Sequence, residues 1–199
     1  GLGSAYGDEL IPISEKIDRV VIVDPSEHFK NGVNQFGIDC EYVKPQLNGT
    51  LPFDDNSFSL ITCLGVLHHI PNVSKVMHEL NRVLVPGGVC ILREPISSMG
   101  DWRNRRFGLT ANERGIPILI FDGIVKKSNF TVIKKSYCMY PVVTKLCKLI
   151  GVNAFNVTFV TSIDAIISKM FSWNKNYHRT KIWMKFAPAS VFYVLEKTE

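Results

Sequence analysis

Short apolar runs alternate with amphipathic stretches along the first half of the chain. Arg19-Val-Val-Ile-Val-Asp24 is a β-branched run closed by Asp-Pro, and it predicts a buried strand stopping at Pro25. Cys40–Val43 is a weaker strand. Ser59–Leu64 is a continuous apolar run of the kind found in a parallel sheet covered on both faces. From Val73 to Val85 the apolar positions Val73, Val76, Met77, Leu80, Val83 and Leu84 fall on one helical face. Asn72 or Ser74 can cap that helix, and Pro86-Gly87-Gly88 stops it and turns the chain. Val89–Leu92 is the next buried strand.

Strands alternating with helices argue for an α/β, doubly wound sheet. Phe130–Tyr140 and Ser190–Glu196 read as two further strands. The stretch between them, 141–187, is too long for a connection and carries helical patterns over Val142–Ile150 and Ile163–Phe171. It is expected to be a helical cap inserted before the last strand.

Composition narrows the class. The chain has 199 residues, 46% hydrophobic and 21% charged, which excludes a disordered or collagen-like protein. No apolar run reaches the roughly 18 residues of a membrane span, and no signal-peptide pattern is visible. Five cysteines (40, 63, 90, 138, 147) contain no Cys-x-x-Cys pair, so neither a disulfide framework nor a metal site is expected, and a cytoplasmic setting fits. The net charge of +5 is concentrated: Pro141–Phe186 holds six Lys and one Arg against one acid, Asp164. A uniformly basic nucleic-acid binder would not look like this, although the basic segment keeps a nucleic-acid binder as a further alternative. That segment suits an anionic substrate or a surface facing anionic lipid, with a merely solvated charged face as the alternative.

In an open parallel sheet, ligands bind beyond the carboxyl ends of the strands. Three blocks fall there. Gly1-Leu-Gly3-Ser-Ala-Tyr-Gly7 allows close backbone approach to a ligand, although a flexible terminal scar would look the same. Asp24, 21 residues after Gly3, can accept both hydroxyls of a ribose, or can cap a following helix, since Asp-Pro-Ser-Glu is also a helix start. The third is Leu51-Pro-Phe-Asp-Asp-Asn-Ser-Phe58, followed by Gly65-Val-Leu-His-His-Ile-Pro71 and Arg82-Val-Leu-Val-Pro-Gly-Gly88.

With these blocks, in this order and spacing, the chain resembles the class I S-adenosylmethionine-dependent methyltransferases, specifically their broad small-molecule group. The resemblance runs from Gly1 to about Glu94 and continues beyond only in outline. It implies a Rossmann-like, doubly wound seven-stranded sheet, mostly parallel with the last strand antiparallel. The chain is then a single domain, 1–199, whose first strand is missing ahead of Gly1, with 141–187 as a basic cap. It implies S-adenosylmethionine as cofactor. Gly1 and Gly3 match the glycine loop, Asp24 with Pro25 the ribose-binding tip, Leu47 and Asn48 the adenine side, and Leu64 and Gly65 the turn lining the cofactor. Two departures stand out: Ala5 replaces the third loop glycine, and Asn48 stands where an acid is usual. An Asn side-chain oxygen can still accept from an adenine amino group.

Methyl transfer from a sulfonium needs alignment and exclusion of water, and a base where the nucleophile is a hydroxyl. His69 and His68 are the candidate bases, or structural residues of a common turn. Arg93 and Glu94 end a buried strand, and are expected on the substrate side or as a pair ordering the loop that follows. That loop, Ser97–Arg106, contains Trp102 and Arg103, suited to a sugar face and an anion, or else pinned internally by Arg–Asp pairs. It resembles a stretch in methyltransferases of surface-polysaccharide or glycolipid pathways. The cap residues Trp173, Tyr177, His178, Arg179 and Trp183 could hold an anionic sugar carrier or simply cover the sheet. The expected reaction is methyl transfer to a small-molecule or saccharide acceptor, at oxygen, with peripheral contact to an anionic membrane. The alternatives are a nicotinamide-dependent oxidoreductase, which leaves the Leu51–Phe58 and Gly65–Pro71 blocks unexplained, an inactive cofactor-binding partner protein, and, from the basic cap, a nucleic-acid methylator or binder.

Overall fold

The computed structural model describes residues 1–30, 39–101, 103–106, 108–109 and 113–198, with only the backbone of Asp39. Along the chain run β1 (Arg19–Val23), β2 (Asp39–Val43), β3 (Phe58–Leu64), α1 (Val73–Val83), β4 (Leu84–Pro95), α2 (Ile118–Lys127), β5 (Phe130–Cys138), α3 (Pro141–Leu149), α4 (Thr158–Met170) and β6 (Ser190–Lys197). Short 3-10 helices occupy Asp8–Lys16, Leu67–His69, Ala154–Asn156 and Ile182–Lys185.

The architecture is α/β and Rossmann-like, but the described residues form six strands rather than seven. They make a two-stranded parallel sheet, β1-β2, and a four-stranded mixed sheet ordered β3-β4-β6-β5. β6 runs antiparallel to both neighbours, as expected of the last strand. The two sheets meet at one residue. Leu2 forms parallel bridges to Val23 on one side and Cys63 on the other. A single bridging residue cannot ladder the whole length of β1 and β3. Between their lower halves lies a cavity of about 500 Å³ lined by Val20, Val21, Phe58, Leu60 and Leu80 among others.

α1 follows its sequence pattern. Val76, Met77, Leu80 and Val83 are buried, and Asn72 caps the start by accepting from the Lys75 N–H at 3.1 Å. These side chains join Cys63, Cys90, Leu92, Phe121, Val191 and Tyr193 in the main core. Full burial of each aliphatic side chain is worth roughly 1.5–3 kcal/mol. Pro86-Gly87-Gly88 does not separate helix from strand as expected but lies inside β4. Phe58 pairs with Leu84 and Leu60 with Val89, so the tripeptide is absorbed as an irregularity opposite one residue of β3.

Between β5 and β6, α3 and α4 enclose a separate small core of Tyr140, Val143, Cys147 and Ala154. No helix among the described residues is long and apolar enough to cross a membrane.

Candidate active site

The carboxyl ends of β1, β3 and β4 converge around Gly1–Gly3. Leu2 N–H donates to Thr62 O at 2.8 Å and Gly3 N–H to Val23 O at 2.7 Å, so the turn hangs from both strand ends. Gly3 has φ +61, and a Cβ there would stand 2.5 Å from Val66 Cγ2, so only glycine fits. A cavity of about 260 Å³ opens beside this turn, lined by Gly3, Ser4, Ala5, Tyr6, Asp8, Glu9 and Leu64. The larger cavity between β1 and β3 reaches toward the strands' other ends, away from this convergence.

Asp24 is buried, 6% exposed, at the tip of β1. Its Oδ1 accepts from the Ser26 N–H at 2.9 Å and its Oδ2 from the Ala5 N–H at 3.4 Å. The carboxylate therefore ties the glycine loop to its own turn and retains lone pairs for further donors. Ala5, the departure from the glycine pattern, takes a positive φ of 49 and presents that N–H. Pro25 follows at the tip. The Tyr42 hydroxyl sits between the Asp24 and Ser26 carbonyls, donating to the first at 2.6 Å, and burial pushes its pKa up. Asn48 Oδ1 accepts from Thr50 N–H at 2.9 Å in an exposed turn, and Leu47 is fully exposed. Neither packs against the glycine loop through any contact described.

Glu94 corrects the sequence expectation. It is fully buried, and its carboxylate accepts from the Val66 and Leu67 N–H groups at 2.9 and 2.8 Å and from His68 N–H at 3.3 Å. His68 Nδ1 lies 2.8 Å from Glu94 Oε2. A carboxylate surrounded this way is committed to holding the Gly65–His69 turn and does not face a substrate. Arg93, on the opposite face of β4, reaches back to Leu64 O at 3.4 Å, and Gly65 (φ +81) N–H donates to Arg93 O at 2.6 Å.

The two histidines separate. His68 is nearly buried and oriented by Glu94, whereas His69 is exposed, its ring centroid 4.0 Å from that of His68. Glu113, which nothing in the sequence singles out, brings Oε1 to 3.8 Å from His68 Nε2. Donor atoms of His68, His69 and Glu113 lie within 4.8 Å of one another, a set that could relay a proton or hold a cation.

Arg103, exposed, is pinned within its own loop, as the Arg–Asp alternative had it. Its Nε and Nη2 pair with Asp101 at 2.8 and 2.9 Å, and that ion pair draws the Asp101 carboxyl down to about 2. Trp102 lies outside the described residues. Arg179 is likewise internal, donating to the Ala187 and Pro188 carbonyls at 3.1 and 2.5 Å. The Tyr177 hydroxyl donates to Gly115 O at 2.8 Å, closing the cap onto the loop after β4.

A second clamp explains why two sequence blocks travel together. Arg82 donates to the Leu51 and Phe53 carbonyls at 3.0 and 2.8 Å and pairs with Asp55 and Glu79. Glu79 in turn accepts from Leu51 N–H at 3.0 Å. The hydrogen bonds from Arg82 hold the Glu79 carboxyl below its ordinary value.

Residues 1–92 match the family model described as a methyltransferase domain. An uncharacterized methyltransferase, YcgJ of Bacillus subtilis, is 27% identical over 95 residues, 46% of this chain and 38% of that protein. The chain thus spans well under half the length of this curated relative. Among solved structures, a methyltransferase of Bacillus halodurans described as putative aligns with TM-score 0.63 and 18% identity over 100% of this chain and 91% of its own. An S-adenosylmethionine-dependent methyltransferase of Mesorhizobium loti aligns with TM-score 0.63 and 14% identity, over 98% and 88% respectively. At these identities the structural likeness speaks for the fold.

Proposed function

We propose that this protein transfers the methyl group of S-adenosylmethionine to an oxygen of a small-molecule or saccharide acceptor, a reading supported by the match of residues 1–92 to a methyltransferase-domain model and by the likeness of the fold to a solved methyltransferase. The observation that carries this reading is the junction of Gly3 and Asp24, where a turn too tight for any side chain meets a buried carboxylate at adjoining strand ends.

The residues present suit the cofactor. Gly3 leaves room for close backbone approach, Asp24 keeps acceptor capacity for the ribose hydroxyls, and Leu64 lines the same cavity as Gly3. Bound there, the sulfonium supplies an activated methyl group. The chain's own work is to orient and to take a proton. Glu94 holds the turn that carries both histidines, and His69, the more exposed of the two, accepts the proton of the acceptor hydroxyl. Cys63, Cys90, Cys138 and Cys147 are free thiols, which suits action in the cytoplasm.

Calorimetric titration with S-adenosylmethionine and S-adenosylhomocysteine tests the reading. Saturable binding is expected, weakened by at least about tenfold in Asp24→Ala, the loss of one charge-assisted hydrogen-bond acceptor being worth roughly 1.5–3 kcal/mol. A folded protein that binds neither compound would sink it and turn attention to nicotinamide cofactors.

A further inference from the structure

α4 carries apolar residues on both faces, with Val160 and Ile167 packed half-buried against the small core. Its fully buried positions are polar, Asp164 and Ser168, while Phe159, Ile166 and Met170 are 72, 61 and 66% exposed. These three recur at i, i+7 and i+11, which makes one outward stripe. Trp173, just past the helix, continues the spacing and is exposed. Asp164 accepts from the Met139 and Tyr140 N–H groups at 2.7 Å each, so the inward face is fixed and the helix cannot simply turn over. α3 repeats the arrangement: Val143 and Cys147 face the small core, and Val142, Leu146 and Leu149 face outward.

Lysines interleave this apolar surface. Lys145, Lys148, Lys169, Lys175, Lys181 and Lys185 are all exposed. The only acid in Pro141–Phe186 is Asp164, which is buried, and Arg179 is taken up by backbone carbonyls. The outward face therefore offers large apolar groups and positive charge with no acid to offset it. A second copy of the chain would set lysines against lysines. A neutral apolar partner would leave the lysines without a counter-charge. An anionic bilayer satisfies both features, because ammonium groups sit at the phosphate level while their stems and the apolar side chains enter the acyl boundary. Trp173 and the exposed Trp183 are the residue type that settles at that interface.

We propose that the outward faces of α3 and α4, with the Ile182–Lys185 turn, dock this protein onto an anionic lipid bilayer. This stands apart from the methyl-transfer reading, because it is measured without cofactor or acceptor. Flotation with vesicles of phosphatidylcholine containing about one-third phosphatidylglycerol is the test, against vesicles of phosphatidylcholine alone. Partition into the anionic vesicles is expected to exceed that into neutral ones by at least about tenfold. The triple variant Phe159→Ser, Ile166→Ser, Met170→Ser and the triple variant Lys145→Gln, Lys148→Gln, Lys169→Gln should each lose about tenfold or more. Circular dichroism verifies that both variants stay folded. In the unsubstituted protein, brominated acyl chains should quench tryptophan fluorescence, a readout independent of any variant. Three results would overturn the proposal: no partition into anionic vesicles, partition indifferent to the apolar triple variant, or a solution dimer that this variant dissociates.

Discussion

α1 and α4 both set apolar residues against a core, but α4 leaves a second apolar stripe exposed where α1 turns polar residues outward. On α1 the apolar stripe Val76, Met77, Leu80 and Val83 is buried against the sheet, and polar residues face out. On α4 the buried stripe contains Asp164 and Ser168, and Phe159, Ile166 and Met170 face out. α1 lies against a wide sheet that offers apolar surface along its length. α4 sits at the rim of a small core, where the backbone N–H groups of Met139 and Tyr140 need an acceptor more than the core needs another aliphatic side chain. Periodicity reports which residues share a face. Which face turns inward depends on what the neighbouring elements demand.

That contrast can be broken or sharpened by substitution. The largest effect should come from Glu94→Ala in the α1 half. It would strip acceptors from three backbone N–H groups and His68, all around a fully buried site. A loss of about 3–5 kcal/mol is expected, read as a shift in urea midpoint. Leu80→Ala should cost about 2–5 kcal/mol by the same assay, since Leu80 is 1% exposed in the main core. Asp164→Ala should cost about 1–3 kcal/mol, and Asp164→Asn, which keeps an acceptor, distinctly less. An equal loss from both would mean that charge, not acceptor geometry, holds α4 in place.

A pH prediction follows from the clamp on the Leu51–Asp55 loop. The folded-state pKa of Glu79 is depressed, so its pairing with Arg82 contributes fully above the ordinary value of 4.5 and is lost as pH falls through the folded value. Stability of the unsubstituted protein should therefore fall more steeply than that of Arg82→Ala on acidification below about pH 4.5. Parallel curves would show that the clamp is too well solvated to matter. The smallest effect belongs to α4's outward stripe: Ile166→Ser should change stability by no more than about 0.5 kcal/mol, despite removing a large aliphatic group. A loss approaching that of Leu80→Ala would mean that the residue is covered in the folded protein.

Much of the catalytic half was legible in the residue order. The strand tips at Asp24 and Leu64-Gly65, the helix at Val73, and the glycines at 1 and 3 stood where the spacing predicted. Local chemistry dictates these features: β-branched runs, a capping Asn72, and a turn at Gly3 that admits no Cβ. Glu94 was misjudged because a charged residue ending a strand looks the same whether it opens to a ligand or closes on a turn. Only the path of Gly65–His69 back across β4 decided it. Glu113 carried no sequence signal, since it lies in a loop 45 residues from His68, the histidine it approaches.

By itself, then, the sequence determined the alternation of strands and helices, the α/β class and the family resemblance of the first half, because these follow from local periodicity and turn chemistry. The tertiary structure decided what depends on non-local partners. It set Leu2 between the two described sheets, bridging Val23 of β1 and Cys63 of β3. It also assigned Arg103, Arg179 and Glu94 to internal contacts rather than ligands. And it left Phe159, Ile166 and Met170 of α4 exposed, while Asp164 on the inward face, beside Val160 and Ile167, satisfies two backbone donors.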